Sequence, residues 1–153
     1  MKIYIQLLFF SLLASCGGTK VETVKSQECN SEVKITRYKT GFGFSRGEGK
    51  LAEKGKHFYV YFTDSYENDK IQAYINEKSL FDETLTTDES LGTTEKGFYY
   101  KYGEDKSPVV LKVIKNGKNC FDITLDKRFR QLFVYSNENK WEVIYDNIYP
   151  LYE

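Results

Sequence analysis

The sequence has few of the residues from which catalytic sites are most often built. Its 153 residues include one histidine, one methionine, one tryptophan, two prolines and three cysteines. A Ser-His-Asp arrangement would have to form around His57, and no Gly-x-Ser-x-Gly elbow accompanies that residue. We therefore expect no catalytic residues and no cofactor, and predict that the protein is not an enzyme.

An excess of charge of either sign is also absent. The 22 lysine and arginine residues are balanced by 22 aspartate and glutamate residues. Bulk charge therefore favours neither nucleic-acid binding nor a polybasic membrane patch. After Gly17, no long stretch repeats its apolar residues with the 3.6-residue period of a helix, so helices are not expected.

The first sixteen residues have the parts of an export signal. Lys2 precedes an apolar run, Ile3 to Ala14, that is too short to span a bilayer, since a spanning helix takes about 20 residues. The run ends in Leu13-Ala14-Ser15-Cys16, which resembles the lipobox of bacterial lipoproteins. The resemblance implies that a signal peptide, residues 1–15, is removed and that Cys16 carries lipid, including acyl chains such as palmitate, as a membrane anchor. Gly17 is not the aspartate typical of inner-membrane retention, so the resemblance favours the outer membrane of the cell envelope, facing the periplasm.

The two cysteines beyond the lipobox are expected to form a disulfide bond. Export places Cys29 and Cys120 in an oxidising compartment, where paired cysteines usually bridge. Zinc is disfavoured, because two cysteines and one histidine do not supply the usual four ligands. The sequence thus predicts a Cys29–Cys120 disulfide and no metal site.

The rest of the chain predicts strands. Tyrosine, phenylalanine and tryptophan make up 16% of the residues, and aromatic residues favour strands. Residues 16–30, from the lipidated cysteine onwards, are polar and are interpreted as a tether, and residues 31–153 as one domain. Its short alternating segments predict an all-β fold, a single antiparallel β-sandwich of about 8–9 strands with immunoglobulin-like or related topology. A small closed barrel is the alternative.

The best hairpin runs from Val109 to Leu125, and its register can be argued. Odd-numbered residues are apolar on both arms, and a two-residue Asn-Gly turn would place them opposite polar residues. A three-residue loop, Lys115-Asn116-Gly117, with a left-handed Gly117 after a type I turn, keeps the odd residues on one face. This loop predicts that Leu111 pairs with Phe121 and that Cys120 points away from the core.

Acidic residues are concentrated in the middle of the chain. Between Asp64 and Glu95 there are nine acidic residues against two lysines, whereas the segments on either side are basic. The carboxylates indicate a binding face for a basic partner, with Asp64, Glu67 and Asp69 as candidates, or pairing with the protein's own basic segments. The loop from Asp64 to Asp69 also offers oxygen ligands for calcium, but it lacks the spacing and glycine of an EF-hand, which disfavours a calcium site.

Tyrosines provide a second candidate binding surface. Tyr59 and Tyr61 share one face of a strand, and together with Tyr99 they are predicted to form an aromatic platform for a sugar or a peptide. The expected function is therefore that of a lipid-anchored, non-catalytic binding domain for an envelope protein or a glycan. Two alternatives are an inhibitor or immunity-type lipoprotein that blocks a toxin or hydrolase through the loops Asp64–Lys70 and Thr86–Lys96, and a structural subunit of an outer-membrane complex.

Overall fold

The computed structural model describes residues 19–26, 28–29, 31–38, 57–102, 107–137 and 140–147. The predicted signal peptide and Cys16 lie outside these residues. Ten strands make up most of the described chain: β1 Lys20–Lys25, β2 Glu32–Arg37, β3 His57–Phe62, β4 Asp69–Ile75, β5 Lys78–Leu85, β6 Lys96–Lys101, β7 Val110–Lys115, β8 Asn119–Thr124, β9 Gln131–Asn137 and β10 Lys140–Asp146. None of the described residues forms a helix that is long and apolar enough to cross a membrane.

The strands form two packed sheets, which confirms the predicted all-β sandwich. The larger sheet has the order β1-β2-β10-β9-β3-β6, and the smaller has the order β5-β4-β7-β8. Neighbouring strands are antiparallel except for β2–β10 and β3–β9, which are parallel. β9 and β10 are apolar in both phases, and they occupy interior positions of the larger sheet, as expected for strands covered on both faces.

Alternate residues of the strands fill the space between the sheets. In β3 the core residues are Phe58, Val60 and Phe62, which are fully buried, while the intervening residues face outwards. Aromatic side chains join the two layers: Phe62 lies 4.9 Å from Phe81 of β5, measured between ring centroids, and Phe121 of β8 lies 4.9 Å from the Trp141 ring of β10.

Strand β1 was not expected, because residues 16–30 were interpreted as a tether. β1 pairs along its whole length with β2, and its Val24 lies opposite Val33 and packs against the core. Val24 therefore contributes apolar burial, and pairing satisfies backbone groups on the facing edge of β1. The domain thus begins earlier than predicted.

The predicted Cys29–Cys120 disulfide is present, with 5.4 Å between the Cα atoms. Cys120 lies in the outward phase of β8, as predicted, while its neighbour Phe121 is buried. Hydrogen bonds reinforce the link. The Glu28 N–H donates to Asp122 Oδ1 at 2.9 Å, and the Ser31 hydroxyl donates to the Cys120 carbonyl at 2.6 Å. Residues 28, 29 and 31, between β1 and β2, are therefore fixed to the outside of the smaller sheet.

The β7–β8 hairpin has the predicted loop length and faces, but the predicted pairs were wrong. Lys115 pairs with Asn119, and Leu111 pairs with Ile123 rather than with Phe121. Asn116 and Gly117 both have positive φ, so the turn is not the predicted type I turn. Positive φ at both residues is the local preference of an Asn-Gly pair, and the Lys118 N–H donates to the Lys115 carbonyl at 3.1 Å across the turn. Asn116 Oδ1 also accepts the Lys70 N–H at 2.8 Å, which holds the turn against the start of β4.

Candidate functional site

The outer face of the larger sheet carries a continuous row of aromatic side chains, here called the aromatic strip: Tyr99 of β6, Tyr59 and Tyr61 of β3, and Phe133 and Tyr135 of β9. The registers bring these residues together, because Tyr59 lies opposite Tyr99 and Tyr61 lies opposite Phe133. The three tyrosines predicted to form a platform are therefore neighbours. Phe133 and Tyr135 extend the row across β9.

Two pairs of neighbouring rings in the strip are in contact and nearly parallel. The planes of Tyr59 and Tyr61 lie within 11° with their centroids 6.2 Å apart, and Tyr61 and Phe133 lie within 20° at 5.5 Å. Near-parallel rings at 5.5 Å cannot lie side by side in one plane, because their edges would overlap, so they form an offset stack. Tyr61 and Phe133 therefore cover part of each other's ring faces.

Tyr99 differs from the other members because it lies on an edge strand. It is 66% exposed, whereas the remaining strip residues are half-buried. The ring of His57, which is also exposed, meets Tyr99 edge-on with 6.1 Å between the centroids. The only histidine of the chain thus lies at the end of the strip, on the surface.

Two hollows flank the strip. One has a volume of about 440 Å³ and lies between the sheet and the β5–β6 loop; its lining residues are Tyr61, Thr63, Ser90, Leu91, Thr93, Glu95, Lys96 and Phe133. The other has a volume of about 680 Å³; its lining includes Lys34, Asp64, Ser65, Tyr135, Lys140, Glu142 and Ile144. Both hollows therefore have aromatic walls from the strip and a polar rim.

Gly97 lies at a close approach of β6 to β3. It lies opposite Tyr61 on β6 and adds no side chain to the outer face at that point. A Cβ atom at Gly97 would overlap the carbonyl oxygen of Val60, so only glycine fits this close approach of two strands.

Asp69, one of the three candidate acidic residues, is buried and has a structural role instead. Its carboxylate forms an ion pair with Lys115 at 2.8 Å and accepts hydrogen bonds from the Asn116 side chain and the Glu67 N–H. Burial alone would raise the pKa of Asp69, but these three donors outweigh it and hold the pKa below its usual value. Asp69 thus joins the start of β4 to the end of β7 and is not available at the surface.

Asp64 and Glu67 remain exposed, and neither forms an ion pair among the described residues. Two further carboxylates of the acidic stretch are paired on the surface: Asp82 with Lys70, and Glu83 with Lys96 at 3.2 Å. For calcium, the described residues contain no group of three or more His, Cys, Asp or Glu side chains arranged to hold a metal ion. The acidic stretch is therefore partly self-paired and partly open.

Sequence reasoning did not identify Phe133, Tyr135 and Leu91 as site residues. The double apolar phase of β9 indicated a covered strand, and no local pattern could show that its outer phase would lie beside Tyr61. Leu91 is 56% exposed in a loop whose composition is otherwise polar, and this isolated apolar residue was the signal available. Comparisons of the chain with protein-family models, with curated proteins and with solved structures found no match.

Proposed function

We propose that this chain is a lipid-anchored protein of the bacterial cell envelope whose β-sandwich binds a partner without catalysis, through the outer face of its larger sheet. The observation that carries the proposal is the aromatic strip. Tyrosine-rich surfaces supply large apolar contact area together with hydroxyl groups, at a low cost in side-chain entropy. An envelope protein and a glycan are the two partner classes.

The anchor and the location rest on Leu13-Ala14-Ser15-Cys16, and the disulfide supports them. A Cys29–Cys120 bridge suits an exported protein, because cytosolic thiols are kept reduced. Replacing Cys16 with serine should abolish acylation and leave the precursor uncleaved by the lipoprotein peptidase. Radiolabelled palmitate and cell fractionation measure both effects. A variant that is processed normally and stays in the outer-membrane fraction would show that the anchor is not this cysteine.

The binding face can be tested by photo-crosslinking in the native envelope. A photoreactive phenylalanine analogue at Tyr99 should form a specific adduct with the partner. The same analogue at Val110, an exposed position on β7 at the other end of the smaller sheet, is the matched control. Analysis of the adduct by mass spectrometry and glycan staining separates a protein from a glycan. Adducts that are equal at both positions, or absent at Tyr99, would contradict a binding function for the strip.

A second candidate is an inhibitor or immunity-type lipoprotein, which blocks a single protein with protruding loops. The observation in its favour is that the two predicted loops lie together: the Thr87 N–H donates to the Tyr66 carbonyl at 2.9 Å, and the Asn68 N–H donates to the Thr86 hydroxyl at 3.1 Å. A tight one-to-one complex with a toxin or hydrolase, measured by calorimetry, would select this candidate.

A further inference from the structure

The loops on either side of β4 and β5 form a single rigid end of the sandwich, here called the two-loop end: residues 63–68 and 86–95. Besides the two hydrogen bonds given above, the Tyr66 N–H donates to the Thr87 hydroxyl at 3.0 Å, and the Thr94 N–H donates to the Thr63 carbonyl at 2.9 Å. These four hydrogen bonds hold the backbones of the two loops together. A surface that is ordered in advance loses less conformational entropy when it binds.

The tip of the longer loop displays Leu91. Asp88 holds the tip: its carboxylate accepts hydrogen bonds from the Ser90 N–H at 2.8 Å, the Ser90 hydroxyl at 2.6 Å and the Leu91 N–H at 3.3 Å. Asp88 also forms a β-bridge with Thr93. Leu91 is 56% exposed in this fixed position. Its exposure is therefore a consequence of the loop's hydrogen bonds.

An apolar hollow lies directly behind this leucine. It is the hollow of about 440 Å³, and Leu91, Tyr61 and Phe133 form its apolar wall. Tyr61 and Phe133 use part of their ring faces in the stack with each other, so the wall is less suited to a flat sugar ring than to a branched aliphatic side chain. Leu91 and the hollow together offer an apolar anchor site of the kind found at the centre of protein interfaces.

The negative charge of the two-loop end indicates the charge of its partner. The two loops contain five carboxylates, Asp64, Glu67, Asp88, Glu89 and Glu95, and no lysine or arginine. Lys96, at the rim of the hollow, is paired with Glu83. Of these carboxylates Glu95 lines the hollow, and the others lie elsewhere on the same two loops. An apolar anchor on an acidic end of the molecule complements a basic surface, and opposite charges speed association.

We propose that the two-loop end docks a basic protein, which inserts an apolar side chain between Leu91 and the stacked rings of Tyr61 and Phe133 and places lysine or arginine residues against the carboxylates. This inference rests on the proposed binding function and commits it to a protein partner and to one end of the strip. If the strip binds a glycan instead, the test should select no peptides of the kind described next.

Selection from a phage-displayed library of random linear peptides tests this proposal directly. The target is the full-length protein, exported in a bacterial host and purified in mild detergent. Selected peptides should carry a net positive charge and a large apolar residue flanked by lysine or arginine. Their affinities, measured by fluorescence polarisation, should weaken about tenfold or more in Leu91→Ser, as for an anchor residue at an interface.

Two further variants complete the design. Glu89→Gln combined with Glu95→Gln should slow association and flatten its dependence on salt. Val110→Ser replaces an exposed apolar residue on the outer face of the smaller sheet and should leave the affinity unchanged. An absence of enrichment, peptides without positive charge, or affinities that Leu91→Ser does not change would overturn the proposal. Peptides that depend on Tyr99 but not on Leu91 would overturn it while leaving the binding function of the strip in place.

Discussion

The Asp69–Lys115 ion pair is expected to contribute strongly to stability, because both side chains are almost completely buried. Their exposed fractions are 11% and 13%, and the Lys115 ammonium group also lies 3.3 Å from the Ser136 hydroxyl and 5.6 Å from the centroid of the Tyr66 ring. Replacing Asp69 with asparagine keeps the shape of the side chain but leaves the lysine charge without its counter-ion. Breaking a buried pair from one side costs about 3–5 kcal/mol, and the remaining contacts of Lys115 place this case near about 3 kcal/mol.

The assay is urea unfolding of wild type, Asp69→Asn, Lys115→Met and the double variant at neutral pH. If the two side chains act as a pair, the double variant should lose clearly less stability than the sum of the single variants. Asp82→Asn is the matched control, because Asp82 pairs with Lys70 on the exposed surface, where ion pairs contribute little. A loss of less than about 1 kcal/mol for Asp69→Asn, or strictly additive losses, would refute the reasoning.

The contribution of the Asp69–Lys115 pair to the free energy of unfolding is expected to depend on pH. The pKa of Asp69 is held below its usual value of 3.8, so the stabilisation is fully present above that pH and is lost as the pH falls through the lowered pKa. The difference in stability between wild type and Asp69→Asn should therefore shrink on acidification below about pH 4. Carboxylates such as Asp126, whose pKa is also lowered, remain in both proteins and cancel in this difference. A gap that stays constant down to pH 2 would contradict the assignment.

Two other features of the fold make equally direct predictions. Cys29→Ser and Cys120→Ser should each lower stability to the same extent as the double variant, by up to about 4–5 kcal/mol for a loop that spans 91 residues, and thiol counting on the unreduced, denatured protein should find neither cysteine reactive. Gly97→Ala should cost about 1–3 kcal/mol in urea unfolding, because the new Cβ overlaps the Val60 carbonyl oxygen, and an unchanged midpoint would show that β3 and β6 separate easily.

Strands with clean alternation could be predicted from the sequence, because an alternating segment buries one face whatever its neighbours are. This holds for β3, for β8 and for the β4–β5 hairpin, whose Asn76–Glu77 turn has positive φ at both residues. β1 escaped prediction because Val24 is its only side chain packed against the core, and one such residue gives no period. In the β7–β8 turn the local preference of Asn116-Gly117 for positive φ at both residues prevailed, whereas the argument from alternation had set that preference aside.

The residues of the candidate site were likewise predictable only where alternation within one strand determines their positions. Tyr59 and Tyr61 share a strand face, so their proximity followed from alternation alone. The contact of Tyr61 with Phe133 depends on the parallel pairing of β3 with β9. This pairing joins segments about 70 residues apart, and no hairpin turn between them indicates it in the sequence. For Asp69 the sequence suggested the wrong environment. Its position in an acidic loop suggested a surface role, and only the fold brings Lys115 close enough to form an ion pair with it.

The position of β9 explains why the strip and the core are parts of one structure. β9 lies between β3 and β10, so its inward residues Leu132 and Val134 are fully buried, while its outward residue Phe133 completes the stack with Tyr61. A strand in the interior of a sheet cannot shift its register by one residue without turning its core residues outwards. The burial that stabilises the sandwich therefore also fixes the place of Phe133 on the outer face, where it forms part of the wall of the hollow behind Leu91.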